Sequence, residues 1–192
     1  HPSLAPDMPI RVIGRRACSL ALVSILAAKV LSAQPASVRG DWLYYGGDPG
    51  ASKYSPLATL DRSNVTGLEV AWRWRTGERA IPRTDSTKAA RPGNFQTTPL
   101  MIGDTLYFST PYNRVVAADA NTGTPYWIYD PGAYVFGQPS NGTGFVHRGV
   151  ATWSDGRERR IFMNSRWRLL ALDARTGKLI RSFGDTGVVD LT

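Results

Sequence analysis

Residues 105–127 read TLYFSTPYNRVVAADANTGTPYW, and this stretch decides the fold because its pattern occurs twice. The second copy, RIFMNSRWRLLALDARTGKLIR at residues 160–181, lies 54 residues further along the chain. Both copies contain an Ala-x-Asp-x-x-Thr-Gly sequence, which begins at Ala117 in the first copy and at Ala171 in the second. A repeat of this kind indicates units that bury their apolar faces by stacking on one another.

Each copy of the repeat predicts three short strands joined by tight turns. In the first copy the strands are predicted at residues 106–109, 115–118 and 126–129. Asp119 and Thr122 favour a turn because their side chains bond the nearby backbone, and Gly123 supplies a positive φ. Short strands with regular turns predict an antiparallel all-β protein, and the repetition favours a propeller or a solenoid.

The composition agrees with a turn-rich β protein. Of the 192 residues, 42% are hydrophobic, and there are 19 glycines and 13 prolines. The formal net charge is +8, but the basic residues are scattered apart from residues 157–160, RERR. Nucleic-acid binding requires a clustered basic surface on a known motif, so we expect no nucleic-acid partner.

Residues 1–33 are predicted to be a leader, and residues 34–192 the body of the domain. A basic segment after Met8 precedes the apolar residues 17–28, a run too short to span a bilayer comfortably. We therefore expect a secretory signal that begins at Met8, with an uncleaved anchor as the alternative. This predicts a periplasmic location. The single cysteine lies in the leader, so residues 34–192 contain no disulfide or thiolate metal site.

Several motifs resemble those of the pyrroloquinoline quinone (PQQ) dehydrogenases. Residues 117–127, AADANTGTPYW, are similar to the family's tryptophan-docking motif, roughly A-x-D-x-x-T-G-x-x-x-W, whereas the second copy has Arg181 at the tryptophan position. Residues 41–48 (DWLYYGGD) and 64–72 (NVTGLEVAW) resemble the family's N-terminal signature. The resemblance implies an eight-bladed propeller in which the tryptophan of one blade packs on the next blade.

The predicted fold is therefore all-β, a partial β-propeller made of the N-terminal blades of an eight-bladed tryptophan-docking propeller. At about 40–45 residues per blade, the chain holds about three blades or fewer. Alternating apolar residues from 68 to 75 predict a half-buried strand, whose aromatic side chains are assigned to core packing. Residues 77–93 predict an exposed loop, and residues 130–146 a long loop of the kind that often carries function.

Two further motifs suggest a cofactor site. Residues 147–153, HRGVATW, resemble the family motif N-R-G-[VL]-A-x-W, in which the arginine pairs with a carboxylate of PQQ. By this match Arg148 is the cofactor ligand, and guanidinium suits the task because it is planar and permanently charged. His147 replaces the usual asparagine. Gln96 lies three residues before Pro99, where the family has a Glu or Gln near the cofactor.

Each of these three candidates has a structural alternative. Arg148 could pair with a neighbouring acid at the start of a strand. Gln96 could be an ordinary glutamine of a surface loop. His147 could titrate or hydrogen-bond near the cofactor, and the alternative is a purely structural histidine.

The resemblance implies a quinoprotein that oxidises an alcohol or a sugar, with PQQ as hydride acceptor. It also implies calcium as a Lewis acid, and membrane quinone or cytochrome c as electron acceptor. The family's catalytic aspartate and calcium ligands lie beyond Thr192, so we assign no catalytic residue and no metal ligand and expect residues 1–192 alone to be inactive. The alternative is a non-catalytic propeller that acts as an envelope assembly or binding scaffold. Scaffolds lack the motifs at Gln96 and Arg148, which favours the enzyme.

Overall fold

The computed structural model describes residues 40–192, so the leader predicted at residues 1–33 lies outside the described residues. Residues 40–192 form two four-stranded antiparallel sheets, each with its strands in chain order. None of the helices in this part of the chain is long and apolar enough to cross a membrane. The first sheet contains β1 (Leu100–Ile102), β2 (Thr105–Ser109), β3 (Val115–Asp119) and β4 (Pro125–Tyr129). The second contains β5 (Ala151–Ser154), β6 (Arg159–Ser165), β7 (Arg168–Asp173) and β8 (Val188–Asp190). Two short 3-10 helices cover Val65–Gly67 and Ala133–Phe136.

The three strands predicted for the first copy are confirmed as β2, β3 and β4, and β1 adds a fourth. Strand β3 is buried along both of its faces. Val115 and Ala117 contribute to a core cluster that also contains Ile161 and Met163 of β6. The alternate residues Val116 and Ala118 pack in a second cluster with Phe108 and Trp74. The first sheet is thus covered on one side by the second sheet and on the other by the segment that precedes it. The prediction of an all-β fold built from repeated antiparallel sheets is confirmed.

The tryptophan-docking contact is present between the two sheets. The indole Nε1 of Trp127 donates a hydrogen bond of 2.9 Å to the carbonyl oxygen of Ala174. Its ring lies directly on Gly177, where an added Cβ would sit 2.6 Å from the indole carbons. Gly177 has φ +68°, so glycine is required here both for the turn and for the close approach of the ring.

A second tryptophan docks in the same way on the first sheet. The Nε1 of Trp72 donates a hydrogen bond of 3.0 Å to the carbonyl oxygen of Ala120, and its ring lies on Gly123. The sequence prediction of a strand over residues 68–75 is wrong, because this segment pairs with no strand among the described residues. The alternating side chains of residues 68–75 instead place the indole of Trp72 against the turn that contains Gly123.

The second copy departs from the predicted pattern after its Thr-Gly turn. Only an isolated bridge joins Leu179 to Leu172, and the strand that pairs with β7 is the later β8. The prediction of a third strand immediately after the turn is therefore wrong for this copy. The chain turns back between Phe183 and Gly187, where the amide of Gly187 bonds the carbonyl of Phe183 at 2.8 Å. Because of this turn, the strand that pairs with β7 begins only at Val188, several residues after the Thr-Gly turn.

The two predicted loops are present, and residues 77–93 are mostly exposed as predicted, but each loop is anchored by a few buried groups. In residues 77–93 the carboxylate of Glu78 is buried and pairs with Arg114 at 2.8 Å. Residues 130–146 contribute Ala133 and Phe145 to a small separate cluster around Tyr112. Both loops are therefore fixed against the turn between β2 and β3.

We expect Gly177→Ala to lower the free energy of unfolding by about 2–4 kcal/mol, because it combines a left-handed φ with a clash against the docked indole. Gly103→Ala is the matched control. Gly103 has a similar φ of +58° but no atom within 4 Å of an added Cβ, so the Gly103→Ala substitution should lower the free energy of unfolding by only about 1–2 kcal/mol. Chemical denaturation of both variants measures the difference, and equal losses would show that the docking contact adds nothing.

Candidate functional site

The fold brings the two predicted cofactor motifs side by side. The backbone amide of Thr98 donates a hydrogen bond of 2.8 Å to the carbonyl oxygen of Arg148. Next to it, Gly149 has φ +143°, and a Cβ there would lie 2.8 Å from the carbonyl oxygen of Thr98. The Arg-Gly pair therefore has a local structural reason, since only glycine allows the two segments to approach this closely.

The side chain of Arg148 lies at the edge of a cleft of about 320 Å³. It is exposed, and no acid or other side chain pairs with it among residues 40–192. The cleft walls are mainly apolar, and they include Val150, Ala151, Phe162, Met163 and Leu169. A free guanidinium beside an apolar cleft suits a flat ligand that carries a negative charge.

Gln96 is placed differently from Arg148. Its backbone lies two residues from the Thr98 amide that bonds Arg148, so its segment borders the cleft region. Its side chain is exposed, contacts no hydrogen-bond partner among residues 40–192, and does not line the Arg148 cleft. The structure thus brings together the two segments without placing the Gln96 amide at the cleft wall.

His147 lines the cleft and uses both of its ring nitrogens. Its Nε2 lies 3.1 Å from the carbonyl oxygen of Asn164, which can only accept, so Nε2 carries the proton. Its Nδ1 then accepts from the Ser109 hydroxyl at 3.0 Å and from the Gly149 amide at 3.3 Å. Burial lowers the pKa of the His147 imidazole, although the bonds to Asn164 act in the opposite direction. The ring is therefore held neutral in one tautomer.

This imidazole connects the two sheets next to Arg148. Ser109 ends β2 of the first sheet, whereas Asn164 belongs to β6 of the second. The Ser109 hydroxyl also lies 3.3 Å from the hydroxyl of Thr97, which extends the network to the Gln96 segment. Ser109 and Asn164 were not identified from the sequence. They are far from His147 along the chain, and no local motif marks them.

The turn aspartates have structural roles. The Asp119 carboxylate accepts from the Thr122 amide at 2.8 Å, and the Asp173 carboxylate accepts from the Thr176 amide at the same distance. Hydrogen bonds, the largest from Tyr126, lower the pKa of Asp119. Across residues 40–192 no three His, Cys, Asp or Glu side chains cluster so that they could hold a metal ion.

Comparison with known proteins identifies the family. Residues 42–192 match the family described as PQQ, glucose/ethanol/alcohol dehydrogenase, β-propeller domain. The chain belongs to this family. The sequence is 32% identical over 168 residues to the quinoprotein glucose dehydrogenase of Escherichia coli K12, covering 79% of this chain and 20% of that protein. It is 33% identical over 170 residues to the quinohemoprotein alcohol dehydrogenase ADH IIB of Pseudomonas putida, covering 85% of this chain and 22% of that protein.

Solved structures agree with this assignment. The quinohemoprotein alcohol dehydrogenase ADHIIG of Pseudomonas putida HK5 superposes with a TM-score of 0.58 at 27% identity, over 80% of this chain and 19% of that one. The quinohemoprotein alcohol dehydrogenase of Comamonas testosteroni gives 0.55 at 28% identity, over 74% of this chain and 19% of that one. The chain thus spans about a fifth of the length of the relatives it matches.

We expect His147 to make the folded protein less stable in mild acid. The folded state has the lower pKa, so the unfolded state binds the proton first. The stabilisation is therefore complete above about pH 6.5, the unfolded value, and is lost as the pH falls towards the folded pKa. Urea denaturation between pH 8 and pH 5 should show this slope in the parent protein and a flatter one in His147→Asn. Equal slopes would contradict a half-buried His147 that is neutral in the folded state.

Proposed function

We propose that this chain is the N-terminal part of a periplasmic quinoprotein dehydrogenase, which oxidises an alcohol or a sugar with PQQ as hydride acceptor. Membership of the PQQ β-propeller family supports this reading, as do relatives named as glucose and alcohol dehydrogenases. The observation that carries the proposal is the Arg148 guanidinium, which has no acidic partner among residues 40–192 and lies at an apolar cleft.

The residues at the cleft fit one part of PQQ, a flat o-quinone with three carboxylates. Arg148 offers a permanent charge and paired donors for a carboxylate. The apolar side chains from β5, β6 and β7 offer surface for a flat ring. Gly149 has no side chain, which lets the Arg148 segment pack closely against the backbone of Thr98.

Each residue then has a distinct task. Arg148 binds a carboxylate, and the Thr98 amide holds the Arg148 backbone in place. His147 is neutral, so it adds no second charge beside Arg148, and its bonds to Ser109 and Asn164 fix the position of the segment. Gln96 would offer an amide to a carboxylate or to a substrate hydroxyl. When bound, PQQ supplies the two-electron acceptor chemistry that amino-acid side chains lack.

The remaining parts of the activity fall outside these residues. We expect the catalytic aspartate and the calcium ligands to lie beyond residue 192, and we expect membrane quinone or cytochrome c to accept the electrons. A non-catalytic envelope scaffold is the alternative function. It is less favoured because the hydrogen bond between Thr98 and Arg148 joins two motifs that a scaffold does not require.

We expect Arg148→Ala to weaken PQQ binding by about 10- to 100-fold, the loss that follows removal of a charged hydrogen bond. Arg148→Lys should retain part of the affinity, because it keeps the charge but loses the planar pair of donors. The measurement is a PQQ titration, followed by absorbance, on the full-length protein purified without cofactor. Arg73→Ala, which removes an exposed arginine from outside the cleft, is the matched control.

Two results would contradict different parts of the proposal. Absence of PQQ binding by the parent protein would favour the scaffold. Unchanged affinity in Arg148→Ala, with normal binding by the parent, would remove Arg148 from the cofactor site but leave the dehydrogenase assignment intact.

A further inference from the structure

Two arginines at the turn between β6 and β7 carry charges that no acid balances among residues 40–192. Arg166 donates from Nη2 to the carbonyl oxygen of Gly137 at 3.0 Å, and Arg168 donates from Nη2 to that of Pro131 at 2.8 Å. The Nε atoms of both arginines are buried without a hydrogen-bond partner. The ion pairs of the described chain involve other arginines. Both side chains are only half-buried, but a guanidinium whose Nε is buried without a partner loses hydration that no hydrogen bond replaces, so its presence needs an explanation.

Aromatic rings surround Arg166 but do not neutralise it. Its guanidinium carbon lies 5.7 Å from the centre of the Phe136 ring, 5.8 Å from Phe145 and 5.7 Å from Trp167. Such contacts stabilise a cation, yet each contributes less than a paired carboxylate with good hydrogen bonds. Burial, and then the neighbouring charge of Arg168, lower the pKa of Arg166. Both effects oppose the charge that the rings accommodate.

The backbone at Arg166 is strained for an arginine. Its φ is +58°, in the left-handed region that favours Gly and Asn. The corresponding turn of the first sheet uses Asn113 for the same purpose, with φ +63°. An arginine therefore costs conformational energy that asparagine would reduce, which argues that the side chain of Arg166 has a function of its own.

Arg166 lines a small polar pocket of about 150 Å³ together with Asn113, Asn141, Phe145, His147 and Asn164. No acidic residue lines the pocket. His147 and Asn164 also line the cleft that contains Arg148, so the pocket and the cleft adjoin. The volume suits a group of a few atoms rather than a ring system. One guanidinium surrounded by amides is a chemistry that binds a carboxylate with a nearby hydroxyl.

We propose that this pocket is a subsite for a carboxylate of the substrate, and that the enzyme accordingly prefers a hydroxy acid to the corresponding neutral alcohol. The inference rests on the proposed function, because the pocket matters to catalysis only if the adjoining cleft holds the cofactor. A free inorganic anion has similar chemistry, and the experiment below separates it from a substrate carboxylate.

The first test measures binding without turnover. Full-length protein free of PQQ is titrated with glycerate, glycerol and sulfate, and the fluorescence of Trp167 beside the Arg166 guanidinium is followed. Trp167→Phe identifies which part of the signal belongs to this residue. We expect saturable binding of glycerate but not of glycerol, weakened by about 10- to 100-fold in Arg166→Gln and partly restored in Arg166→Lys.

Arg168→Gln is the matched control for a purely structural role. Arg168 also bonds a carbonyl of the 130–146 loop and also contacts Phe136, but it does not line the pocket. Glycerate binding should therefore survive in Arg168→Gln. Equal weakening in Arg166→Gln and Arg168→Gln would show that both arginines merely hold the loop, and would overturn the proposal. Thermal unfolding of each variant without ligand reports whether it folds.

The second test uses the enzyme loaded with PQQ. The ratio of kcat/KM for glycerate to that for glycerol should fall by about 10- to 100-fold in Arg166→Gln relative to the parent. An unchanged ratio, or sulfate binding as tightly as glycerate, would overturn the substrate subsite. These results are separable from failure of the proposed function. If the parent binds no PQQ, the dehydrogenase assignment fails, whereas glycerate binding to the cofactor-free protein still reports on the pocket.

Discussion

The contact on which the described structure depends is the docking of an indole on a Thr-Gly turn. Trp127 closes the space between the sheets with one hydrogen bond to Ala174 and one ring face against Gly177. The hydrogen bond fixes the orientation of the indole, while the missing Cβ of glycine lets the ring approach closely. Trp72 repeats the arrangement on the first sheet. Each β unit is thus attached to the next through a turn whose conformation only glycine adopts without strain.

The position of the candidate site follows from this stacking. Because the docked indole sets the spacing of the two sheets, the C-terminal ends of β2 and β6 lie close enough for one imidazole to bond both. His147 makes these bonds through Ser109 and Asn164, and the next residue presents its guanidinium at the cleft. The neutrality of the imidazole matters as much as its bonds, since a second positive charge would repel Arg148. A histidine can therefore replace asparagine here only if its environment keeps it uncharged.

The sequence predicted the repeat, the all-β fold and the family, because those depend on local patterns that recur: turn residues, apolar runs and short motifs. It assigned Arg148 and Gln96 to one cofactor site, and the structure brings their segments together but leaves the Gln96 side chain outside the cleft. It failed where the outcome depends on distant partners. The alternating apolar residues around Trp72 predict a strand, whereas in the structure they place the Trp72 indole on the turn at Gly123. The late position of β8 depends on the turn that ends at Gly187. The sequence could not predict that Arg166 has no acidic partner among the described residues, because ion pairs form between residues that only the folded chain brings together.

Two groups of arginines differ in whether a carboxylate neutralises them, and this difference affects the free energy of folding. Arg114 and Arg160 have carboxylate partners within the described chain, whereas Arg148 and Arg166 have none and line adjoining cavities. For Arg166, burial and the neighbouring charge of Arg168 both disfavour the charged form, so its positive charge opposes folding. An anionic ligand that binds only the folded state reverses this effect, and it stabilises the protein in proportion to the logarithm of its concentration above Kd. If the two cavities have the functions proposed for them, a carboxylate-bearing ligand would therefore stabilise the folded chain, because it supplies the negative charge that the described residues around Arg148 and Arg166 lack.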